Sequence, residues 1–599
     1  MSNKFLSLTN LNFLLFEVHQ LERFLKHHYY SHQDKEAVDM MILSAMKIAE
    51  KHLHPYLKEM DRQQPELKNG EVISHKQIKK ITSVFGESGW YSATISLDEG
   101  GLQIPHLVDS AANLIFMAAN NGTYGFTGLN AGVSNLILKF ASNELKEKFV
   151  PNLHIGKWQG TMALTEPQAG SSLGDISSSA SRTSEEGEFK IKGQKVFISA
   201  GDLQHPENIV HMVLARIEGE PEGTKGISMF IVPKFRFEKT KLVSNDVKTV
   251  GIFHKMGQKA TPTVHLAFGE KKNCIGYLVG EPNEGLSYMF ELMNEARISV
   301  GIGAAGMASA AYYMALEYAN ERSQGRVAEA KDSVDQVSII DHADVKRMLL
   351  KQKSIFEGCM SLILQAAAYA DQVKTKEGDL RDHYQLLLDL LTPVVKTYPS
   401  EKGIESVSEA LQCFGGYGYC EDFSVEQLYR DIRITPIYEG TTGIQSLDLL
   451  GRKVLLKNGK GMQLLSKEFE FTLRDASQFE ELNEITAIFD AGADELKKVT
   501  QHLLAFAMRN KIDRYLADAS VYMELFGLVC VGWQWLKQGV VITDACRTNV
   551  ENLENPFYLG KIQTMKYFFN YEFPKTHSLS STLKSDHDIT LLTDKSWLE

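Results

Sequence analysis

Cysteine is scarce in this chain: six thiols in 599 residues, at Cys274, Cys359, Cys413, Cys420, Cys530 and Cys546. None forms a CxxC pair, which excludes a disulfide framework and a structural zinc site of the usual spacing and predicts free thiols in a reducing compartment. Long apolar runs are also missing. A membrane-spanning helix needs about 20 apolar residues, and the run Leu11 to Phe16 gives way at once to Glu17 and His19. No transmembrane segment and no signal peptide is expected, so the sequence reads as cytoplasmic. Positive charge is in deficit, with 64 Lys and Arg against 75 Asp and Glu and a net charge of -11. That argues against a broad nucleic-acid surface but leaves room for a local basic site for a phosphorylated ligand.

What is present is ordinary for a globular protein: 43% hydrophobic and 23% charged residues. A single core stops growing at about 250–300 residues, so this length predicts at least two packed domains. Apolar residues recur at helical spacing through Val38 to Ile48, Ser74 to Trp90 and Asn130 to Ile155, with a Gly100-Gly101 and Pro105 loop between. From Gly160 to Gly269 short runs replace them: Thr161 to Leu164, Phe189 to Ile191, Lys195 to Ile198, Ile209 to Ala215, Ile227 to Val232 and Thr263 to Phe268. Glu186-Gly187 and Lys192-Gly193 read as turns, and the whole as a compact antiparallel β domain. Helices return at Ala304 to Ala319, His342 to Ala370 and Tyr384 to Thr397, with Pro393 near the end of the last. A strong apolar helical segment, Tyr515 to Lys537, lies in a further helical stretch.

Four segments could carry chemistry. In the first, Arg430 to Gly443, Glu439 stands between Tyr438 and Gly440 in a loop beyond Pro436. Gly440 lets backbone amides approach a ligand, and a helix start at Thr441-Thr442 favours anions and polarised oxygens. The plain alternative is a surface carboxylate beside a threonine N-cap. In the second, Met162 to Ser172, a strand runs into a polar loop whose Thr165 and Ser171 could bond a heterocycle or an amide; any hairpin turn looks similar. In the third, Ile191 to Gly201, Phe197 could cover a flat ring with Ser199 as a nearby donor; a core strand with an ordinary Phe is the alternative. In the fourth, Leu411 to Tyr419, Gly415, Gly416 and Gly418 expose backbone able to meet a pyrophosphate. A helix precedes them, so they are no Rossmann fingerprint, and a helix C-cap is the alternative.

Together, in this order, the four segments resemble the acyl-CoA dehydrogenase family. TEPQAGS matches its TEPxAGS loop, GQKVFIS its GxKxWIT, QCFGGYGY its QxxGGxGY and IYEGTTGIQ its IYEGTxxIQ, over roughly residues 35 to 455. A stretch after Arg322 and about 140 residues beyond the usual family end resemble the large bacterial subfamily that includes 3-methylmercaptopropionyl-CoA dehydrogenases. The resemblance implies a mainly α fold with a central β domain: an N-terminal helical domain (1–158), a middle antiparallel β domain (159–275), a four-helix bundle (276–457) and an additional C-terminal helical domain (458–599).

It also implies FAD as cofactor. Met162, Leu164, Thr165, Gly170 and Ser171 match the loop at the flavin ring. Phe197, Ile198 and Ser199 stand where the family has Trp, Ile and Thr, so an indole N–H is lost and a hydroxyl kept. Arg322 matches the arginine at the pyrophosphate, though the family's following aromatic is absent near Gln324. Gln412, Gly415 and Gly416 match a contact with FAD across a dimer, and Thr441 and Gly443 the adenosine end. Substrate would meet Ser171, Asn294, Arg297, Tyr438 and Gly440. Glu439 matches the catalytic base. Some members carry the base just before the arginine matched by Arg297, but Ala296 holds that place here.

The implied reaction removes the α proton of an acyl-CoA with Glu439 while the β hydride passes to flavin N5. Family members use the base's backbone N–H and a ribityl hydroxyl to polarise the thioester oxygen. A desolvated glutamate would have a raised pKa and be the better base. The product would be a trans-2-enoyl-CoA, as in fatty acid β-oxidation, with electron-transfer flavoprotein as acceptor and a homodimer or dimer of dimers as the assembly. An acyl-CoA oxidase shares the fold but reoxidises its flavin with oxygen. A flavin-retaining, nucleic-acid-associated branch also exists, but the segment after residue 455 has roughly four more acids than bases, against DNA. Trp533, Trp535 and the aromatic run 567–571 fit interface anchors or, more commonly, core.

Overall fold

The computed structural model describes residues 4–239, 241–326 and 335–599. Part of the long stretch after Arg322, residues 327–334, lies outside them. The chain divides into two compact units: residues 39–105 with 115–299, and residues 1–38 with 106–114 and 300–599.

The first unit carries α1 (Gln77–Glu87), α2 (Leu129–Phe140) and α3 (Asn143–His154). A hairpin of β1 (Glu66–Lys68) and β2 (Glu71–Ile73) interrupts a stretch expected to be wholly helical. Its turn is Asn69-Gly70, both at positive φ, the pair a two-residue hairpin favours. Ten strands follow: β3 (Trp158–Ala163), β4 (Ser179–Arg182), β5 (Glu188–Ser199), β6 (Asn208–Ile217), β7 (Ile227–Pro233), β8 (Phe235–Glu238), β9 (Lys241–Ser244), β10 (Val247–Ile252), β11 (Thr263–Phe268) and β12 (Ile275–Leu278). Eight form one sheet, in the order β10-β11-β5-β12-β7-β6-β3 with β4 beside β5 and β6. It is antiparallel except where β3 and β4 run parallel to β6, pairings that need crossovers rather than hairpins.

Strand β6 shows why this sheet sits at the centre of its unit. Val210, Met212 and Leu214 point to the core shared with α2 and α3, while Val213, Ala215 and Ile217 join a second core on the opposite face. Alternate residues of one strand therefore fill both sides. Lys192-Gly193 is not a turn but lies inside β5. Glycine is needed there because a Cβ would come within 2.2 Å of Ser178 Oγ.

The second unit is helical. Helix α4 (Gly285–Glu321) enters it at Val300. Then come α5 (Ala343–Thr375), α6 (Gly378–Cys413), α7 (Val425–Ile432), α8 (Thr442–Asp448), α9 (Leu456–Ala476), α10 (Asn483–Met508), α11 (Ala519–Thr548), α12 (Pro556–Tyr567) and α13 (Lys575–Lys584). Helix α6 begins before Tyr384 and does not end at Thr397. It continues through Pro393 and Pro399 to Cys413, because residues Leu390 to Ser400 are all buried and packing outweighs the helix-breaking tendency of proline.

Helix α11 is built into this core. Trp533 and Trp535 are fully buried, donating their indole N–H groups to Thr472 Oγ1 (2.8 Å) and the Ser354 carbonyl (2.9 Å). They are core residues. Glycines permit the close approach: a Cβ on Gly527 would lie 2.4 Å from the Tyr398 ring, and one on Gly358 2.7 Å from Trp535 Nε1. Among the described residues two helices, Gly285–Glu321 and Ala519–Thr548, have the length and hydropathy to cross a bilayer, by length and composition only. Ala519–Thr548 spends that hydropathy on packing, with 83% of its apolar window buried. All six cysteines are free thiols.

Candidate active site

The sheet unit holds one group of expected site residues. Strand β3 ends at Ala163 and the chain turns through Leu164 to Ser171. Met162, Leu164 and Thr165 are half-buried, while Gly170 and Ser171 are exposed. The Thr165 carbonyl accepts the Val196 N–H at 2.9 Å, tying this loop to the end of β5. There β5 carries a bulge: its pairing with β11 shifts between Lys195 and Ile198. Bulges re-aim side chains, and here Phe197 adopts φ 60° and Ala200 φ 51°. A non-glycine residue in this left-handed region is strained. Ile198 points into the core and Ser199 is half-buried, but Phe197 remains 61% exposed, its ring 4.5 Å from that of Phe253. A strained, exposed Phe197 packed beside a half-buried Phe253 is an unusual use of apolar surface, and it suits a flat ring system.

Beneath this surface lies an ion pair that the motifs contain but do not announce. Lys195 Nζ sits 2.8 Å from Glu166 Oε1, with side chains 0% and 1% exposed, and also donates to the Leu164 carbonyl at 2.9 Å. The other donors to Glu166 are the backbone N–H of Ser177 (2.6 Å) and of Ser178 (3.0 Å), the Ser177 hydroxyl and Gln168 Nε2. Burial pushes the Glu166 carboxyl up, but Lys195 and these donors more than reverse it and hold it down to about 2. Its ordinary value is 4.5. Between the two, the unfolded chain binds a proton that the folded one does not, so stability falls as pH falls. The expected loss is about 3 kcal/mol from pH 5 downwards. Urea unfolding of wild type and Glu166→Gln across this range checks it: the variant starts weaker and its curve is flatter.

On the first part of α4, Asn294 is half-buried and Ala296 and Arg297 are buried. Glu295 accepts from Asn135 Nδ2 at 3.2 Å.

The helical unit holds the second group. Arg322 is exposed at the end of α4, its guanidinium 3.5 Å from Gln324 Oε1. Gln412 lies in the last turn of α6, and Gly415 and Gly416 follow in a tight turn with nothing within 4 Å of the position a Cβ would take. Their peptide groups are thus open to a ligand.

The loop after Ile432 is the most constrained feature. Glu439 has φ 54° and Gly440 φ 89°, two successive left-handed residues. The reversal is closed by Thr442 N–H donating to the Pro436 carbonyl at 2.9 Å. Thr441 then caps α8, its hydroxyl accepting the Ile444 N–H at 3.2 Å, and Thr442 hydrogen-bonds Glu401. Two buried side chains hold the turn itself. Gln445 Nε2 donates to the Glu439 carbonyl at 3.0 Å, and Lys396 Nζ donates to the Gly440 carbonyl at 2.8 Å. Tyr438 and Glu439 are half-buried and Gly443 is exposed.

Lys396, Gln445, Glu166, Lys195 and Phe253 escape the sequence reading as site residues, though Gln445, Glu166 and Lys195 lie within the quoted motifs. Each unit carries residues whose chemistry suits FAD: exposed Phe197 and hydroxyls in the sheet unit, open glycine peptides and an arginine in the helical unit.

Four family models match in chain order. "Acyl-CoA dehydrogenase, N-terminal domain" covers residues 35–157, the middle domain 161–270 and the C-terminal domain 283–455. "Acetyl-CoA dehydrogenase C-terminal like" covers 465–594. The chain is 37% identical to 3-methylmercaptopropionyl-CoA dehydrogenase of Ruegeria pomeroyi over 79% of this chain and 80% of that one. It is 31% identical to the broad-specificity linear acyl-CoA dehydrogenase FadE5 of Mycobacterium tuberculosis over 96% and 97%. The fold is that of the Bacillus anthracis acyl-CoA dehydrogenase complexed with FAD, at 20% identity and TM-score 0.74, covering 94% and 90% of the two chains.

Proposed function

This chain belongs to the acyl-CoA dehydrogenase family, FAD-dependent oxidoreductases of acyl-CoA thioesters, and from that premise we propose that Glu439 is its α-proton base. The observation that supports this is the doubly left-handed turn at Glu439-Gly440, held by two buried donors. Strain of this kind persists where the surrounding structure over-determines it, and it collects at functional positions.

In this reading the carboxylate of Glu439 takes the α proton, and Tyr438, Gly440, Ser171, Asn294 and Arg297 line the thioester. Thr165, with Met162, Leu164, Gly170 and Ser171, and Phe197, with Ile198 and Ser199, would hold the flavin ring. Arg322 would hold the pyrophosphate, to which a guanidinium is suited. Thr441 and Gly443 meet the adenosine end, and Gln412, Gly415 and Gly416 serve the FAD of a second subunit. Bound FAD supplies the two-electron acceptor for the hydrogen lost from the β carbon. The same reading makes the protein a homodimer or dimer of dimers and assigns it to fatty acid β-oxidation. Its electrons pass to an electron-transfer flavoprotein, and its thiols suit a reducing cytoplasm. It divides the chain at 158/159, 275/276 and 457/458.

A panel of acyl-CoAs of increasing length, added without oxygen to the yellow holoprotein, tests the proposal. One or more is expected to bleach the flavin and yield the trans-2-enoyl-CoA. A flavin that no thioester bleaches overturns it. Rapid peroxide formation in air, with no acceptor added, would assign the electrons to oxygen instead.

A further inference from the structure

We infer that Lys396 and Gln445 are positioning residues for the base, clamping the strained turn that aims the Glu439 carboxylate; this rests on the assignment of Glu439 above. Glutamate gains nothing intrinsic from φ 54°, and Gly440 beside it could adopt many other conformations. Without restraint the turn would relax. What prevents this is a pair of hydrogen bonds to adjacent backbone carbonyls. Gln445 Nε2 holds the Glu439 carbonyl at 3.0 Å and Lys396 Nζ the Gly440 carbonyl at 2.8 Å. Each carbonyl belongs to one peptide plane, so the planes 439–440 and 440–441 are both fixed. The first sets ψ of Glu439, and the pair together set both dihedrals of Gly440. The direction of the Glu439 Cα–Cβ bond depends on these angles.

The two clamps come from different places. Gln445 lies one turn into α8, the helix that the loop itself opens into. Lys396 comes from the middle of α6, beside Thr397 and Pro399, in the most deeply buried part of that helix. Both clamps are fully buried, at 0% exposure. A Cβ at Gly440 would stand 2.4 Å from Gln445 Nε2, so the glycine is required by the clamp as well as by its own φ. The ammonium of Lys396 also gives the Gly440 carbonyl a charge-assisted bond, stronger than a neutral one. Through these contacts the base is referenced to the long helix α6 rather than to a free loop.

The test uses the full-length FAD-loaded protein, with butyryl-CoA and hexadecanoyl-CoA as probes and an artificial acceptor. Gln445→Met and Lys396→Met each remove a donor while keeping a long apolar side chain. The expected result is a fall in kcat of about 10²-fold, the scale of a misplacement near 1 Å, with KM within about threefold and flavin content unchanged. Dideuterated substrate should then show a larger isotope effect, because proton abstraction has become slower.

The Glu439→Gln background separates positioning from general damage. Residues acting through one group are non-additive, so Gln445→Met should cost nothing further there. Equal losses in both backgrounds would overturn the inference, as would an unchanged kcat in Gln445→Met. If Lys396→Met loses its flavin or fails to fold, Gln445→Met still decides. Normal turnover in Glu439→Gln itself removes the assignment of the base, and the inference with it.

Discussion

Replacement of Glu439 by glutamine is expected to leave a yellow protein that turns over about 10²–10⁴-fold more slowly, the contribution of a positioned general base. The amide is nearly isosteric with the carboxylate but cannot take up the α proton. The hydrogen bonds that hold the turn's backbone do not use the carboxylate. The Glu439 carbonyl would still accept from Gln445, the Gly440 carbonyl from Lys396, and Thr441 would still cap α8. Thr441 and Gly443, assigned to FAD, follow in the same segment, but the substitution leaves both in place, so flavin content should not change. Acyl-CoA affinity should change little, because the lost interaction is made chiefly as the proton moves. Glu439→Asp supplies a graded control. It withdraws the carboxylate by about one bond length, and a shift of that size costs about 10²-fold. Stopped-flow reduction of the flavin by acyl-CoA reads both variants directly. Ordinary reduction rates in Glu439→Gln would remove the base from this turn.

The turn itself was only half legible in the sequence. Tyr438-Glu439-Gly440-Thr441 announces a carboxylate, a flexible residue and a helix start, all local properties. Its clamp from Lys396 joins residues 44 apart in the chain, and nothing in either segment names the other. The Glu166–Lys195 pair is similar, linking two quoted motifs across 29 residues. A lysine in the middle of a strand reads as an outward-facing residue, yet this one shares the inward face with Phe189 and Ile191 and is fully buried; the bulge after it turns Phe197 outward.

Strands whose apolar run is complete, such as Thr263–Phe268, could be read to the residue. Ser179–Arg182 and Val247–Ile252 could not, since their pattern is polar on one side and they are strands only by pairing with β5 and β11. Helix α6 failed for the opposite reason: proline is a strong local signal, and burial overrode it. Local chemistry was therefore readable, and long-range partnership was not.

A second large effect is expected in the C-terminal segment, where Glu357→Gln should destabilise the protein by about 3–5 kcal/mol. Glu357 on α5 and Lys561 on α12 form an ion pair at 2.9 Å, with side chains 2% and 0% exposed. Gln538 Oε1 accepts from the same ammonium at 2.9 Å, and the rings of Phe13 and Trp535 stand 5.2 and 5.4 Å from it. Burial pushes the Lys561 ammonium down to about 8, with the Glu357 carboxylate opposing it. Removing the carboxylate leaves a cation in an apolar site with one amide partner. Since whole domains are stable by only about 5–15 kcal/mol, this single change would consume a large share.

The sign of its pH dependence follows from the lysine. A folded value below the ordinary 10.5 means the unfolded chain binds the proton more readily, so stability rises with pH between the two. The Glu357→Gln deficit should therefore be greatest at neutral pH and shrink in alkali. The double variant Glu357→Leu with Lys561→Met should recover most of the loss, because two packed apolar side chains replace two desolvated charges. Denaturant unfolding of all three proteins decides the matter. A single variant within about 1 kcal/mol of wild type, the scale of an exposed pair, would mean that this charge pair does not hold α12 to α5. Recovery in the double variant would instead show that the contact between the two helices is chiefly apolar, with the ion pair selecting the register in which they meet.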